Sequence, residues 1–327
     1  MIKRIAQLVL AILAMITFSA SPALACTSTG FIRDAINMTA ALINPVGTVS
    51  GTVNATGCNI AVYYDSNGLG GTVKAADIFG SNYFGVLVNG DAGPVSVDVL
   101  DSTIHDIGES TPNGTQHGVA VYYRAFLLGS SATGKINGNT IERYQKGGIV
   151  VNGVGSNAVV SNNIVRGLTQ VTFIAQNGVQ FGYGSSGSAM RNTVTGNQYD
   201  GTGTASGGII VVGGPGYGTC PDGFPCPYTT GIQIVRNIVT NNDVGVWLSN
   251  IDELYNPPVD QTNEKVVNNT ISNDTCVNPY QTGVSDQGNN DKIINNRISG
   301  IGYATTCGVA VDADVMYTNR PKVHANK

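Results

Sequence analysis

Asn139-Thr140-Ile141, a short loop, then Gly148-Ile149-Val150-Val151 is the phrase that decides how this chain folds, because it keeps returning. It reads Asn162-Asn163-Ile164 before Gly178-Val179-Gln180-Phe181, and Asn192-Thr193-Val194 before Gly208-Ile209-Ile210-Val211. Later copies are Asn237-Ile238-Val239 with Gly245-Val246-Trp247-Leu248, Asn269-Thr270-Ile271 with Gly283-Val284, and Asn296-Arg297-Ile298 with Gly308-Val309-Ala310-Val311. These asparagines lie 23, 30, 45, 32 and 27 residues apart. Such spacing suits a solenoid whose period varies because its loops vary. Ser102-Thr103-Ile104 with Gly118-Val119-Ala120-Val121, and the segment ending Gly85-Val86-Leu87-Val88, read as earlier coils, with Cys58 to Tyr64 as the first.

Each copy holds two short runs of alternating Val, Ile and Thr, bounded by Gly or Asn, which are strand signals. A lone strand of this kind cannot bury both faces, so successive copies must stack strand on strand, in parallel, at about 4.8 Å per coil. Roughly eight to nine coils give a rod on the order of 40 Å long. Gly at 43 of 327 residues and charged residues at only 12% fit tight corners and stacked strands rather than surface helices.

Before the repeats, Lys3 and Arg4 precede an apolar run from Ile5 to Phe18 and then Ala23-Leu24-Ala25, the layout of a cleaved export signal. The expected divisions are a signal peptide over 1–25, a cap region over 26–57, the coils over 58–314 and a polar tail over 315–327. Phe31 to Leu42 reads as a short capping helix. A secreted or periplasmic location follows from the signal, and no other run is long enough to span a membrane. All six cysteines lie after the signal, an even number that suggests pairing. Cys220 and Cys226 bracket a Pro-rich loop, Cys276 and Cys307 fall in neighbouring coils, and Cys26 with Cys58 would tie down the first coil. Lipidation of Cys26 would leave an odd thiol, and Ala23 stands where a lipobox usually has Leu.

Charge is unevenly placed. Residues 26–123 hold two cations and eight acids, residues 124–191 six cations and one acid, and the remainder seven cations and twelve acids. The middle segment points to an anionic partner. Nucleic acid is a poor candidate for an exported chain with more acids than bases.

The repeated phrase resembles the right-handed parallel β-helix of the pectate-lyase-like superfamily, with the asparagines as its inward ladder. The resemblance runs from about Cys58 to Asp314 and implies an all-β, single-domain solenoid. Proteins similar to it include pectate and alginate lyases, polygalacturonases, uronan epimerases, phage tailspikes and non-catalytic surface proteins, so the likeness implies a fold more than an activity. The Asp-Pro-His-Asp motif of uronan epimerases is absent, as is the Asp-Asp of polygalacturonases. No acidic cluster resembles the calcium site of pectate lyases, which argues against a calcium-dependent mechanism; no cofactor is expected, and calcium alone stays open as a metal. A leucine-rich repeat is excluded by the missing Leu-x-x-Leu-x-Leu spacing.

If the Asn and the aliphatic residue two places on face inward, the next residue faces out. That row is His105, Glu142, Val165, Thr195, Thr240, Ser272 and Ser299, followed by Asp106, Arg143 and Arg166. Gln116-His117, Gln145-Lys146 and Gln176-Asn177 return the loops at similar height, and the short loop carrying Glu142 to Lys146 lies between longer ones, forming a groove. Elimination on a uronan needs a cation for the carboxylate, a base and an acid. Arg143 and Arg166 are candidates for the first, Lys146 or His105 for the second, and Tyr144 or Tyr122 for the third. His117 and Gln176 are candidate sugar contacts. Glu142 with Asp106 or Asp200 is the corresponding candidate pair for a glycoside hydrolase. The bland reading of Asp106, Arg143 and Arg166 is a surface charge ladder.

A second row, Leu87, Ala120, Val150, Gln180, Ile210 and Trp247, should also face out. It is either covered by an N-terminal segment or the Cys220–Cys226 excursion, or it is a platform for sugar rings. The expected function is that of a monomeric polysaccharide-active protein, foremost a lyase on an anionic glycan. The alternative is a non-catalytic glycan-binding surface protein.

Overall fold

The computed structural model describes residues 21–220, 223, 225–304 and 307, with the strand Lys322–His324. Most of the expected signal, the copy Gly308–Val311 and nearly all of the tail lie outside the described residues. What is described is a right-handed parallel β-helix. One face is a ten-stranded sheet. A seventeen-stranded sheet wraps the other two.

A turn of the coil carries three strands, not the two read from the sequence. From Gly147–Asn152 the chain passes to Ser156–Ser161, turns a corner into Ile164–Val171, and returns to the first face at Asn177–Gly182. Ala158 and Val160 of the overlooked strand point inward and are fully buried. The interior is built from rows of like residues stacked in register. Ile104, Ile141, Val165, Val194, Val239 and Ile271 form one such row, each paired with the next. All six are fully buried. Burying each such side chain contributes about 1.5–3 kcal/mol.

The asparagine ladder runs up one corner. Each rung donates from its Nδ2 to the next rung's Oδ1: Asn139 to Asn163 at 2.9 Å, Asn163 to Asn192 at 2.9 Å, Asn192 to Asn237 at 3.1 Å, Asn237 to Asn269 at 3.0 Å, Asn269 to Asn296 at 2.9 Å. The same Oδ1 also accepts the backbone N–H of the rung before it, as Asn192 does from Asn163 at 3.0 Å. A corner that would strand buried amides is thereby satisfied from within.

Two register corrections follow. The rung in the second copy is Asn163, not Asn162. Asn162 sits at the corner just before it with φ 56°, as do Arg191 (55°), Arg236 (57°), Asn268 (59°) and Asn295 (57°) before their rungs. Asn tolerates this left-handed backbone and also suits the rung, so the doublet Asn162-Asn163 reads equally well in either frame. With the frame moved by one, Val165 points inward and Arg166 takes the outward place beside Glu142. On the ten-stranded face, Tyr122 rather than Ala120 aligns with Leu87 and Val150. Ala120 is buried in the core, at the small-residue position that Gly85 and Gly148 occupy in adjacent coils.

The stretch expected as a capping helix is a β-hairpin. Strand β1 (Thr27–Arg33) pairs antiparallel with β2 (Ile36–Ile43). β2 in turn pairs in parallel with Ile60–Asp65. The stacking therefore begins inside the region read as a cap, and Cys58 to Tyr64 is not the first strand of the face. Met38 and Ala40 lie two apart on one face of β2, while Ala41 and Leu42 pack on the interior, and the apolar run was too short to separate helix from strand. Disulfides join Cys26 to Cys58, Cys220 to Cys226 and Cys276 to Cys307, leaving no free cysteine among the described residues. Three disulfides fit a secreted or periplasmic setting. No helix among the described residues is long and apolar enough to cross a membrane.

Candidate functional site

A groove of about 670 Å³ runs along the outer surface of the ten-stranded sheet. Its floor is the outward row Tyr122, Val150, Gln180, Ile210 and Trp247, which adjacent strands hold in register. One rim is formed by residues entering those strands, among them Gln116, Lys146, Ala175 and Asn177. Aromatic side chains and the Cys220–Cys226 loop form another, where Tyr183 lies 6.4 Å from Phe126 and meets Tyr217 edge-on at 6.1 Å. The β1–β2 tip, Phe31 to Asp34, overhangs the end near Tyr122. The row that looked too apolar for solvent is thus partly covered: Phe31 packs on the cluster of Leu87, Tyr122 and Val150, while Gln180 and Trp247 stay half-buried in the open part.

The floor is apolar with fixed polar points. Gln180 donates to Asn152 Oδ1 and accepts from Asn177 Nδ2, both at 3.0 Å. Trp247 Nε1 donates to Gln287 Oε1 at 3.2 Å. Rings clamped in this way present flat faces with one polar edge.

Lys146 is the most distinctive group. Its ammonium donates to the Ala175 carbonyl at 2.8 Å and forms no ion pair among the described residues. Burial alone pulls its pKa down to about 8. Arg124 is buried beneath the rim. It pairs with Asp91 at 2.5 Å, donates to Asn89 at 2.7 Å, and lies over the rings of Phe31 (4.9 Å) and Phe126 (5.4 Å). Among the lining residues Arg33, Arg124 and Lys146 are cationic and Asp34 alone is acidic.

The other sequence candidates separate from this groove. Arg143 binds Asp106 through two bonds of 2.7 and 2.9 Å and Glu142 at 2.5 Å, and Glu142 reaches Arg166 at 3.4 Å. His105 stands between Asp77 (3.0 Å) and Asp106 (2.5 Å). These residues form a half-exposed charge ladder on the seventeen-stranded sheet. Arg143 holds the Asp106 carboxyl down to about 2, the opposite of what a general acid needs. Asp200 lies elsewhere, accepting from Gln170 at 3.0 Å. The cationic segment 124–191 winds round every face of the coil, so its charge does not collect on one surface.

Tyr144 is fully buried, its hydroxyl donating to Asn197 at 2.6 Å and pushed far up by desolvation, which removes it from contact with a substrate. Gln176 is likewise interior and donates to the Tyr144 carbonyl at 2.7 Å. His117 is buried, stacks on Tyr83 at 3.9 Å and pairs with Glu109 at 2.5 Å, which makes it a loop anchor. Lys146, Tyr122, Gln180 and Trp247 do share the groove. Arg33 and Tyr217, which also line the groove, escaped the sequence reading. Phe31-Ile32 and Ala40-Ala41-Leu42 interrupt any alternation in this stretch, so nothing local signalled a hairpin that brings a cation there.

Nothing among protein-family profiles or curated proteins matches this chain. Solved structures similar to it include GH136 lacto-N-biosidase from Eubacterium ramulus, at 13% identity and TM-score 0.38, over 81% of this chain and 51% of that one. The chain therefore spans about half the length of that protein. The A-module of Azotobacter vinelandii mannuronan C-5 epimerase aligns at 12% identity and TM-score 0.33, over 86% and 85%. A periplasmic alginate epimerase aligns at 10% identity and TM-score 0.31, over 84% and 77%. At these values the likeness concerns the coil and not the site.

Proposed function

We propose that this protein binds an acidic polysaccharide along the groove of the ten-stranded sheet and cleaves it by elimination, acting as an exported, monomeric polysaccharide lyase. The observation that carries this reading is Lys146, a half-buried amine without a carboxylate partner beside an apolar floor. Charged, it draws an anionic chain; neutral, it is a base of suitable strength near neutral pH. In elimination the neutral amine removes the proton next to the sugar carboxylate. The electron pair forms the new double bond and expels the glycosidic oxygen, and Tyr122, a residue that also lines the groove, supplies that oxygen's proton from its hydroxyl. Two carboxylates flanking a bond, as a hydrolase requires, are missing from the lining residues.

The test is ultraviolet absorbance together with reducing ends after incubation with polyuronates, glycosaminoglycans and neutral glycans. New absorbance on acidic chains is expected, falling about 100-fold or more in Lys146→Gln. Turnover should rise with pH up to about 8, as Lys146 loses its proton. Full turnover in Lys146→Gln contradicts the assignment. A non-catalytic binding role is the second reading, favoured by the aromatic lining of Tyr122, Tyr183, Tyr217 and Trp247. It predicts retention on the same glycans without absorbance or new reducing ends.

A further inference from the structure

A chain of acidic sugars in the groove carries more charges than Lys146 alone meets, and the two cations first suggested, Arg143 and Arg166, lie on another face of the coil. A different arginine hangs over it. Arg33 ends β1 at the hairpin tip, where Phe31 to Asp34 line the groove. Phe31 fixes the tip: it packs parallel to Tyr63 at 6.3 Å and lies under the Arg124 guanidinium at 4.9 Å. The root of β1 is tied by the Cys26–Cys58 disulfide. Arg33 and the aromatic rim residue Tyr183 line the same groove. The acidic partner of Arg33 is its own neighbour Asp34, a single contact at 3.6 Å between side chains 36% and 55% exposed. Such a contact is weak and readily exchanged for a better one. The fork of a guanidinium accepts a carboxylate or sulfate through two parallel hydrogen bonds, which an exposed Asp34 at that distance does not provide.

We propose that Arg33 is a specificity-determining residue that binds a second acidic group of the same chain held by Lys146, so that the groove selects glycans with acidic groups on successive sugars over those with isolated ones. This rests on the polysaccharide reading above. The amine of Lys146 on the rim and the guanidinium on the overhanging tip are separate points of attachment. A ligand carrying one charge satisfies one of them, and a ligand with a run of charges satisfies both.

The test measures affinity of the intact protein for a homo-oligouronate and for an oligosaccharide of equal length with a single uronate, at low and high salt. Arg33→Ala should weaken the homo-oligouronate about tenfold. It should also flatten the salt dependence and leave the single-uronate ligand within about twofold of wild type. Arg33→Lys should restore only part of the loss, because an ammonium lacks the fork. Asp34→Asn releases Arg33 from its neighbour and should tighten the homo-oligouronate by about two- to fivefold. The side chains of Arg33 and Asp34 are partly exposed on a turn, so melting temperatures should match wild type. Equal affinities in wild type and Arg33→Ala, or no gain in Asp34→Asn, overturn the proposal while leaving glycan binding itself intact. Failure of wild type to bind either ligand removes the polysaccharide reading, and this inference with it.

Discussion

At the scale of single residues, two kinds of amide and amine carry the account. The ladder asparagines have no freedom to be replaced. Asn192 accepts from Asn163 N (3.0 Å) and Nδ2 (2.9 Å), and donates to the Val160 carbonyl (3.0 Å) and Asn237 Oδ1 (3.1 Å). Asn192→Ala strips partners from buried groups that water does not reach, each costing about 1–3 kcal/mol. Denaturant unfolding should therefore show a loss of about 3 kcal/mol or more, whereas Asn162→Ala, at the exposed corner, should lose less than half of that. Equal losses would mean that the rung had been misassigned. Lys146 stands at the other extreme, held by one carbonyl and without a countercharge. That makes it a poor structural residue and a useful chemical one.

At the scale of elements, the inward row was legible where one residue type had one role, and the frame was lost where Asn had two. Ile141, Val194 and Val239 alternate cleanly, and the inward row could be read from them directly. The Asn162-Asn163 doublet defeated the frame because both the left-handed corner and the rung favour Asn. Gly118 did so because it precedes the small-residue position instead of filling it. A slip of one residue turned Arg166 from a neighbour of Glu142 into a member of the next row. The groove was half legible. Gln180 and Trp247 follow from strand alternation, whereas Tyr122 stands where the alternation put Ala120, and the overhanging hairpin comes from the other end of the sequence, where no local pattern announces where it will lie. Its attachment gives a prediction: Phe31→Ala removes both the contact with Tyr63 and the ring under Arg124. Trypsin should then cut after Arg33 several-fold faster in the native protein while the midpoint of global unfolding moves little. Unchanged cleavage would show that Phe31 does not hold the tip.

For the whole molecule, the interior holds carboxyl groups whose protonated form is favoured by burial. Burial raises Asp243 to about 7 and Asp291 to about 8, and raises Glu264 as well. Asp291 accepts from Thr262 Oγ1 at 2.8 Å and the Glu264 N–H at 2.7 Å, and its second oxygen has no donor. The folded chain keeps protons that the unfolded chain releases above about pH 4. Their contribution is therefore complete below that value and is lost as pH rises through about 7 to 8. Melting temperature should fall across this range. Asp291→Asn, which retains an acceptor for Thr262 and the Glu264 N–H, should flatten the upper part of the fall. A melting temperature that climbs toward pH 8 would contradict the assignment.

The function proposed for the rod rests on where an acidic chain lies. Lysines are few and scattered, among them Lys74, Lys135, Lys146, Lys265 and Lys292. Carbodiimide coupling of a bound oligouronate to the intact protein, followed by peptide mass spectrometry, reads that position directly, because the reagent joins a carboxylate only to an amine in contact with it. The account predicts an adduct concentrated on the peptide bearing Lys146 and suppressed by excess unlabelled polyuronate. Adducts spread over Lys74, Lys135 and Lys265 with none on Lys146 would place the glycan outside the groove and contradict it.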